Sequence, residues 1–255
     1  MWDPKKYLAF DDHRSRPFFE LLGRIEAENP RRVIDLGCGP GHLTASLTER
    51  WPGATIEASD SSPEMVAAAR NLGIDARLGT VQDWRPAPDT DVVISNAVLH
   101  WVPTHTTLLP QWAHALPAGA WLALQVPGNF DAPSHRAIRE LADRDEWRDR
   151  LAPAGILRPR DVLDPSGYAQ VLTLAGCQVD AWETTYLQRL SGEDPVLEWV
   201  TGTALRPVRN ALDDTGWQEF TAQLAPLLRA AYPRQLDGTT WLPFRRVFAV
   251  AHKPG

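Results

Sequence analysis

The stretch Val33-Ile34-Asp35-Leu36-Gly37-Cys38-Gly39-Pro40-Gly41 constrains this chain more than any other. A short apolar run with glycines directly behind it reads as a buried strand that turns sharply and presents bare main chain. The helix that follows, to about residue 50, points its first N–H groups at the turn and lends it about half a positive charge. Asp35 is an acid inside an apolar strand. It either caps loop N–H groups or holds the cationic end of a ligand, directly or through water. The third glycine comes one place too early for G-x-G-x-x-G, and His42 fills the sixth position. That spacing argues against a pyrophosphate clamp and leaves room for a smaller, less anionic ligand. His42 itself reads as a residue of the first helical turn.

The alternation continues along the first half. Apolar strands are expected at 33–36, 55–59, 74–78, 91–95 and 121–126, with helices at 14–28, 42–50, 63–71 and 107–116. The run Asp-Val-Val-Ile-Ser at 91–95 is nearly all apolar, as a strand covered on both faces should be. Such alternation predicts an α/β fold, a parallel sheet with helices on both faces. The second half is less regular, with helices expected at 134–148, 165–175, 194–204 and 216–231. Strands at 178–188 and 241–252 would complete the sheet late. The organisation expected is an arm and helix over 1–30 covering the ligand site, an α/β core over 31–130, and a C-terminal part over 131–255. Within that last part a helical cap is inserted at about 190–238. The proline-bearing stretch 151–165 reads as a loop.

Composition removes several function classes. The chain has 255 residues and a net charge of −6, from 26 basic and 32 acidic side chains, which disfavours a phosphate-backbone binder. No apolar run approaches the ~20 residues of a membrane span, and the N-terminus lacks the apolar stretch of a signal peptide, so the expected compartment is cytoplasmic. Cys38 and Cys177 suggest neither a disulfide framework nor a zinc knuckle. No H-E-x-x-H or G-x-S-x-G occurs. The basic residues are 23 arginines and only three lysines, and some of those arginines could serve as forks for carboxylates. Asp60 closes the second strand 19 residues beyond Gly41, where an α/β fold places the acid that takes the ribose diol of a nucleoside.

The motif V-I-D-L-G-C-G-P-G, then E-A-S-D at the second strand and D-V-V-I-S-N-A-V-L-H-W at the fourth, resemble the class I S-adenosylmethionine-dependent methyltransferases. The outer stretches carry the likeness over nearly the whole chain to the family of trans-aconitate methyltransferases. They are W-D-P-K-K-Y-L-A-F with R-S-R-P, then G-C-Q-V-D-A-W-E-T-T-Y, E-W-V-T-G-T-A-L-R-P and P-F-R-R-V-F-A-V-A. The resemblance implies a Rossmann-like, mostly parallel seven-stranded sheet and S-adenosylmethionine as methyl donor, with S-adenosylhomocysteine as by-product and no metal. It implies a monomethyl ester formed on trans-aconitate or a similar small polycarboxylate, with no nucleic-acid or membrane partner and a monomer as the default state. By position, Asp35, Gly37, Gly39 and Gly41 would line the methionine end, and Asp60 the ribose, with Ser61 and Met65 nearby. Asn96, Ala97 and Trp101 would form the floor under the sulfonium. Many relatives carry an acid after the third strand to bind adenine; here Thr80 stands there, so Thr80, Val81 or main chain would do so.

An ionised carboxylate acceptor needs no general base, so His100 reads as a pocket residue. Holding three carboxylates calls for several arginines, with Arg14, Arg16, Arg206, Arg209, Arg245 and Arg246 the candidates. Tyr7 and Tyr232 could add hydroxyls. Rival readings are a methyltransferase for another small acid, an NAD-dependent oxidoreductase and a non-catalytic nucleoside sensor.

Overall fold

The computed structural model describes residues 15–156 and 162–255. Among them the strands β1 (Arg32–Leu36), β2 (Thr55–Asp60), β3 (Asp75–Leu78), β4 (Thr90–Asn96), β5 (Trp121–Pro127), β6 (Gln178–Leu190) and β7 (Thr240–His252) form one seven-stranded sheet, in the order β3-β2-β1-β4-β5-β7-β6. β3, β2, β1, β4 and β5 pair in parallel, and β7 runs antiparallel to β5. This is the mostly parallel seven-stranded sheet the sequence implied. The strand order reverses at β1, between β2 and β4, which opens a crevice beyond the carboxyl ends of these strands.

The chain divides into two compact units. Of the described residues, the sheet unit comprises 15–127, 162–184 and 246–255, and the helical unit 128–156 and 185–245. In the sheet unit, α1 (Arg16–Leu22), α2 (His42–Arg50), α3 (Pro63–Asn71), α4 (His105–Ala115) and α7 (Pro165–Leu174) flank the strands. Leu36, Val93, Leu109, Trp112, Leu124 and Tyr168 are buried in its largest apolar cluster. The helical unit holds α5 (Pro133–Ala142), α6 (Asp145–Leu151), α8 (Pro195–Thr201), α9 (Arg206–Ala211) and α10 (Asp214–Ala231). Its core is separate, with the Trp147 and Phe220 rings meeting edge to face at 5.3 Å. It therefore draws in the 133–151 helices beside the 190–238 stretch.

Three helix expectations need correction. The helix expected over 14–28 stops at Leu22, where Gly23 donates back to Phe19 O at 2.9 Å. Ile25 still falls in the apolar period, but it is buried on a non-helical stretch that Trp51 Nε1 holds by a 2.9 Å bond to Ala27 O. The helix expected over 134–148 breaks at Arg144, whose extended backbone (ψ 150°) starts a new helix and lets Trp147 and Leu151 reach the core. That expected over 194–204 ends at Thr201 before Gly202, and α9, which the sequence reading missed, begins with a proline in its first turn. Of the 151–165 stretch, Ala152–Ala154 form a 3₁₀ turn, and 157–161 lie outside the described residues.

Candidate functional site

The glycine loop is built from main-chain contacts between β1 and β2. Gly37 and Cys38 both donate to Ser59 O, at 2.8 and 3.0 Å. Gly37 has φ +80°, and a Cβ there would collide with the Val98 side chain. Gly41, at φ +85°, caps α2, and a Cβ on it would lie 2.9 Å from Ala69 Cβ. Asp60 ties this loop to the next. Its Oδ2 accepts from Gly39 N and its Oδ1 from Ser62 N, both at 2.9 Å. A carboxylate offers about four lone-pair sites, so each oxygen keeps one for a further donor.

Asp35 is buried, and its Oδ2 accepts from Thr44 Oγ1 at 2.6 Å. Burial pushes its pKa up to about 6; the Thr44 bond pulls the other way, and the negative charge of Asp60 adds to the rise. A buried acid in that condition gains from any cation placed beside it. The same environment, burial foremost, pushes the Cys38 thiol up to about 12, so it is no nucleophile at neutral pH.

At the end of β4 the chain turns through Ala97, the only non-glycine residue with positive φ (58°) among those described. Ala97 N donates to Gln125 O at 2.8 Å, which fixes the turn against β5. The Asn96 Oδ1 just before it is buried with no hydrogen-bond partner among the described residues. His100 and Trp101 sit on a short 3₁₀ turn with ring centroids 4.7 Å apart, and Trp101 is exposed. Ser61 and Met65 are exposed around the start of α3. Thr80 Oγ1 donates to Asp83 Oδ2 at 2.6 Å, while Val81 is buried with its side chain in the core.

The arginines separate by unit. In the sheet unit, Arg16 is exposed at the start of α1, and Arg246 Nη1 lies 3.5 Å from Gln125 Oε1. In the helical unit, Arg209 is engaged by Asp214 Oδ1 at 2.5 Å and covers the Trp217 ring. Arg245 Nη1 donates to Gly128 O at 3.3 Å, and Arg206 is exposed at the start of α9. Tyr232 OH accepts from Ser134 N at 3.1 Å inside the core. Tyr7 and Arg14 lie outside the described residues. In the sheet unit the register puts Asp35, Asn96, Gln125 and Arg246 on one face of β1, β4, β5 and β7. Gln125 escaped the sequence reading, although a lone amide in the apolar run Trp-Leu-Ala-Leu-Gln-Val-Pro carries the same signal as Asp35.

A cavity of about 550 Å³ runs along the opposite face, which bears Ile34, Glu57 and Ser59, beneath the helix-free 79–89 connection. Its walls carry their own ion pairs, Arg32–Glu57 and Arg77–Glu57, and Thr80 lines it as well. Among the described residues, no group of three or more His, Cys, Asp and Glu is placed to hold a metal ion, and no helix is long and apolar enough to cross a membrane.

Comparison with known proteins places the fold and the family. A family profile described as a methyltransferase domain matches residues 10–181. The trans-aconitate 2-methyltransferase of Rhodococcus jostii is 63% identical, over 98% of this chain and 99% of its own length. Its namesake from Mycobacterium tuberculosis is 56% identical, over 100% and 98%. Among solved structures, YcgJ of Bacillus subtilis covers 92% of this chain and 97% of its own, with TM-score 0.60 at 14% identity. Phosphoethanolamine N-methyltransferase 2 of Haemonchus contortus, solved with S-adenosyl-L-methionine, has TM-score 0.56 at 13% identity, covering 99% of this chain and 57% of its own. The structural likeness speaks for the fold, and the sequence likeness, sustained from end to end, establishes that this chain belongs to the methyltransferase-domain family and, within it, to the trans-aconitate 2-methyltransferases.

Proposed function

We propose that the protein is an S-adenosylmethionine-dependent carboxyl O-methyltransferase that forms the monomethyl ester of trans-aconitate. The observation that carries this reading is the 56–63% identity, over nearly full length, to relatives bearing that name. The glycine loop supports the choice of cofactor: it has bare backbone at Gly37 and Gly39, a buried acid at Asp35 that favours a cation, and an orphaned acceptor at Asn96 Oδ1. When bound, S-adenosylmethionine supplies an electrophilic methyl group on a sulfonium.

Asp35 would stabilise the positive methionine end by Coulomb attraction in a low-dielectric setting. Asp60, with lone pairs to spare, would accept from the ribose diol while still holding Gly39 and Ser62. The main chain at Thr80 and Val81 would border the adenine. Asn96, Ala97 and Trp101 would form the floor on which donor and acceptor meet, with His100 beside it. The acceptor carboxyl, with an ordinary pKa near ~4, arrives ionised, so no side chain has to remove a proton. Charge is partly neutralised as the ester forms, and strong cationic contacts to the reacting oxygen would favour the ground state. The protein's contribution is therefore alignment, which can be worth up to roughly 7–11 kcal/mol.

The test is incubation with methyl-labelled S-adenosylmethionine and a panel of mono-, di- and tricarboxylic acids. A monomethyl ester of trans-aconitate as the dominant product is expected. Equal turnover of monocarboxylic fatty acids would overturn the substrate assignment.

A further inference from the structure

Gln125 is fully buried on β5, and α1 packs over that strand. Its Oε1 faces Arg246 Nη1 at 3.5 Å. A guanidinium carries donors only, so this contact orients the amide, oxygen toward Arg246 and NH₂ away from it. The Nε2 so directed has no hydrogen-bond partner among the described residues. One strand across, Asn96 stands opposite Gln125 in parallel register, and its Oδ1 is likewise buried and unpartnered. A donor and an acceptor thus lie side by side at the carboxyl ends of β4 and β5, beside a guanidinium, without bonding to each other. Buried polar groups in native proteins rarely go unsatisfied without a functional reason. Two other orphaned donors, Trp112 Nε1 and Trp147 Nε1, sit in the apolar cores of the two units instead.

We infer that Gln125 binds the substrate: its Nε2 donates a hydrogen bond to the carboxylate that is methylated, and its Oε1 steers Arg246 toward a neighbouring carboxylate of the same acid. The inference rests on the polycarboxylate reading above. The division of labour follows from charge. A neutral amide orients a carboxylate while leaving its negative charge available for attack, whereas a guanidinium on the same oxygen would hold the ground state most strongly. No proton moves, since the carboxylate arrives ionised and the amide keeps its hydrogens.

Gln125→Met keeps the length of the side chain and removes both polar ends; Gln125→Glu keeps the acceptor and sets a negative charge against the acid. Wild-type protein is first assayed for methylation of trans-aconitate. Calorimetry then measures trans-aconitate binding to protein saturated with S-adenosylhomocysteine, beside KM and kcat. Q125M is expected to weaken acid binding and raise KM by about 10- to 100-fold, and Q125E by more. S-adenosylhomocysteine affinity should stay within about twofold of wild type in both. Unchanged acid binding in Q125M overturns the inference and leaves the proposed function standing. Parallel loss of S-adenosylhomocysteine and acid binding also overturns it, in favour of a structural role. Wild-type protein that binds S-adenosylhomocysteine but methylates no polycarboxylate sinks both. Should Q125M not fold, Gln125→Asn, which retracts the amide by one methylene, makes the same comparison.

Discussion

Burial shifts the Asp35 carboxyl, and the direction of its effect on stability follows from that shift. Its pKa is raised from 3.8 to about 6, so the fold prefers the protonated form. Stability therefore falls as pH rises from about 4 to about 6 and stays at the lower level above that, a cost on the order of 3 kcal/mol. Asp35→Asn, whose amide oxygen can still accept from Thr44, should raise the melting temperature of the ligand-free protein at pH 7.5. That gain should shrink toward pH 4. The same change should weaken S-adenosylhomocysteine binding at pH 7.5, and wild-type binding should weaken below about pH 6 in a way D35N does not; thermal unfolding and calorimetry across pH read out both. A second prediction concerns Gly37, where both φ and the Val98 contact forbid a side chain. Gly37→Ala should cost about 2–4 kcal/mol in urea unfolding. Adding Val98→Ala should recover the steric part and leave the backbone strain, so the two changes will not be additive. The glycine was legible in the sequence. Its partner Val98 was not, because a steric neighbour 61 positions along the chain is set by β4 pairing with β1.

At the level of elements, local signals were read well where the chain supplied its own stop. Helix α3 runs Pro63–Asn71 as expected, because Ser62 caps it by accepting from Met65 N at 3.2 Å and a proline opens it. Helices failed where the apolar period continued past the real end, as at Gly23 and Arg144. There the period reports which residues are buried and not the backbone between them. In the helical unit, Asp213 caps α10 by accepting from Gly216 N at 2.8 Å and also meets Arg150 Nη2 at 3.4 Å. Asp213→Ala should destabilise that unit by about 1 kcal/mol, nearly all of it from the lost cap, since an exposed ion pair adds little. Chemical unfolding followed by Trp147 and Trp217 fluorescence would show it, with S-adenosylhomocysteine affinity unchanged.

At the level of the whole molecule, a ligand that binds only the folded state stabilises it by mass action. At 100 times its dissociation constant the gain is about 2.7 kcal/mol, which for a chain of this size moves Tm by roughly 5–10 °C. S-adenosylhomocysteine is expected to produce such a shift in the transition that reports the sheet unit. NAD should produce none, because the early third glycine denies it a pyrophosphate clamp. Thermal-shift traces with each ligand distinguish the two, and a shift with NAD alone would favour the oxidoreductase reading.

What the sequence by itself determined is what local chemistry determines. Strand and helix periods, proline and glycine positions, and an acid stranded in an apolar run all act over a few residues, and from them came the alternating fold, the glycine loop, Asp35 and Asp60. What only the tertiary structure decided is which distant side chains meet. Gln125 comes to Arg246 across 121 positions because β7 returns antiparallel beside β5, and Arg209 turns to Asp214 and Trp217 within its own unit. Those pairings follow from strand order and register, fixed by burying many apolar faces at once, and no short stretch of chain encodes that sum.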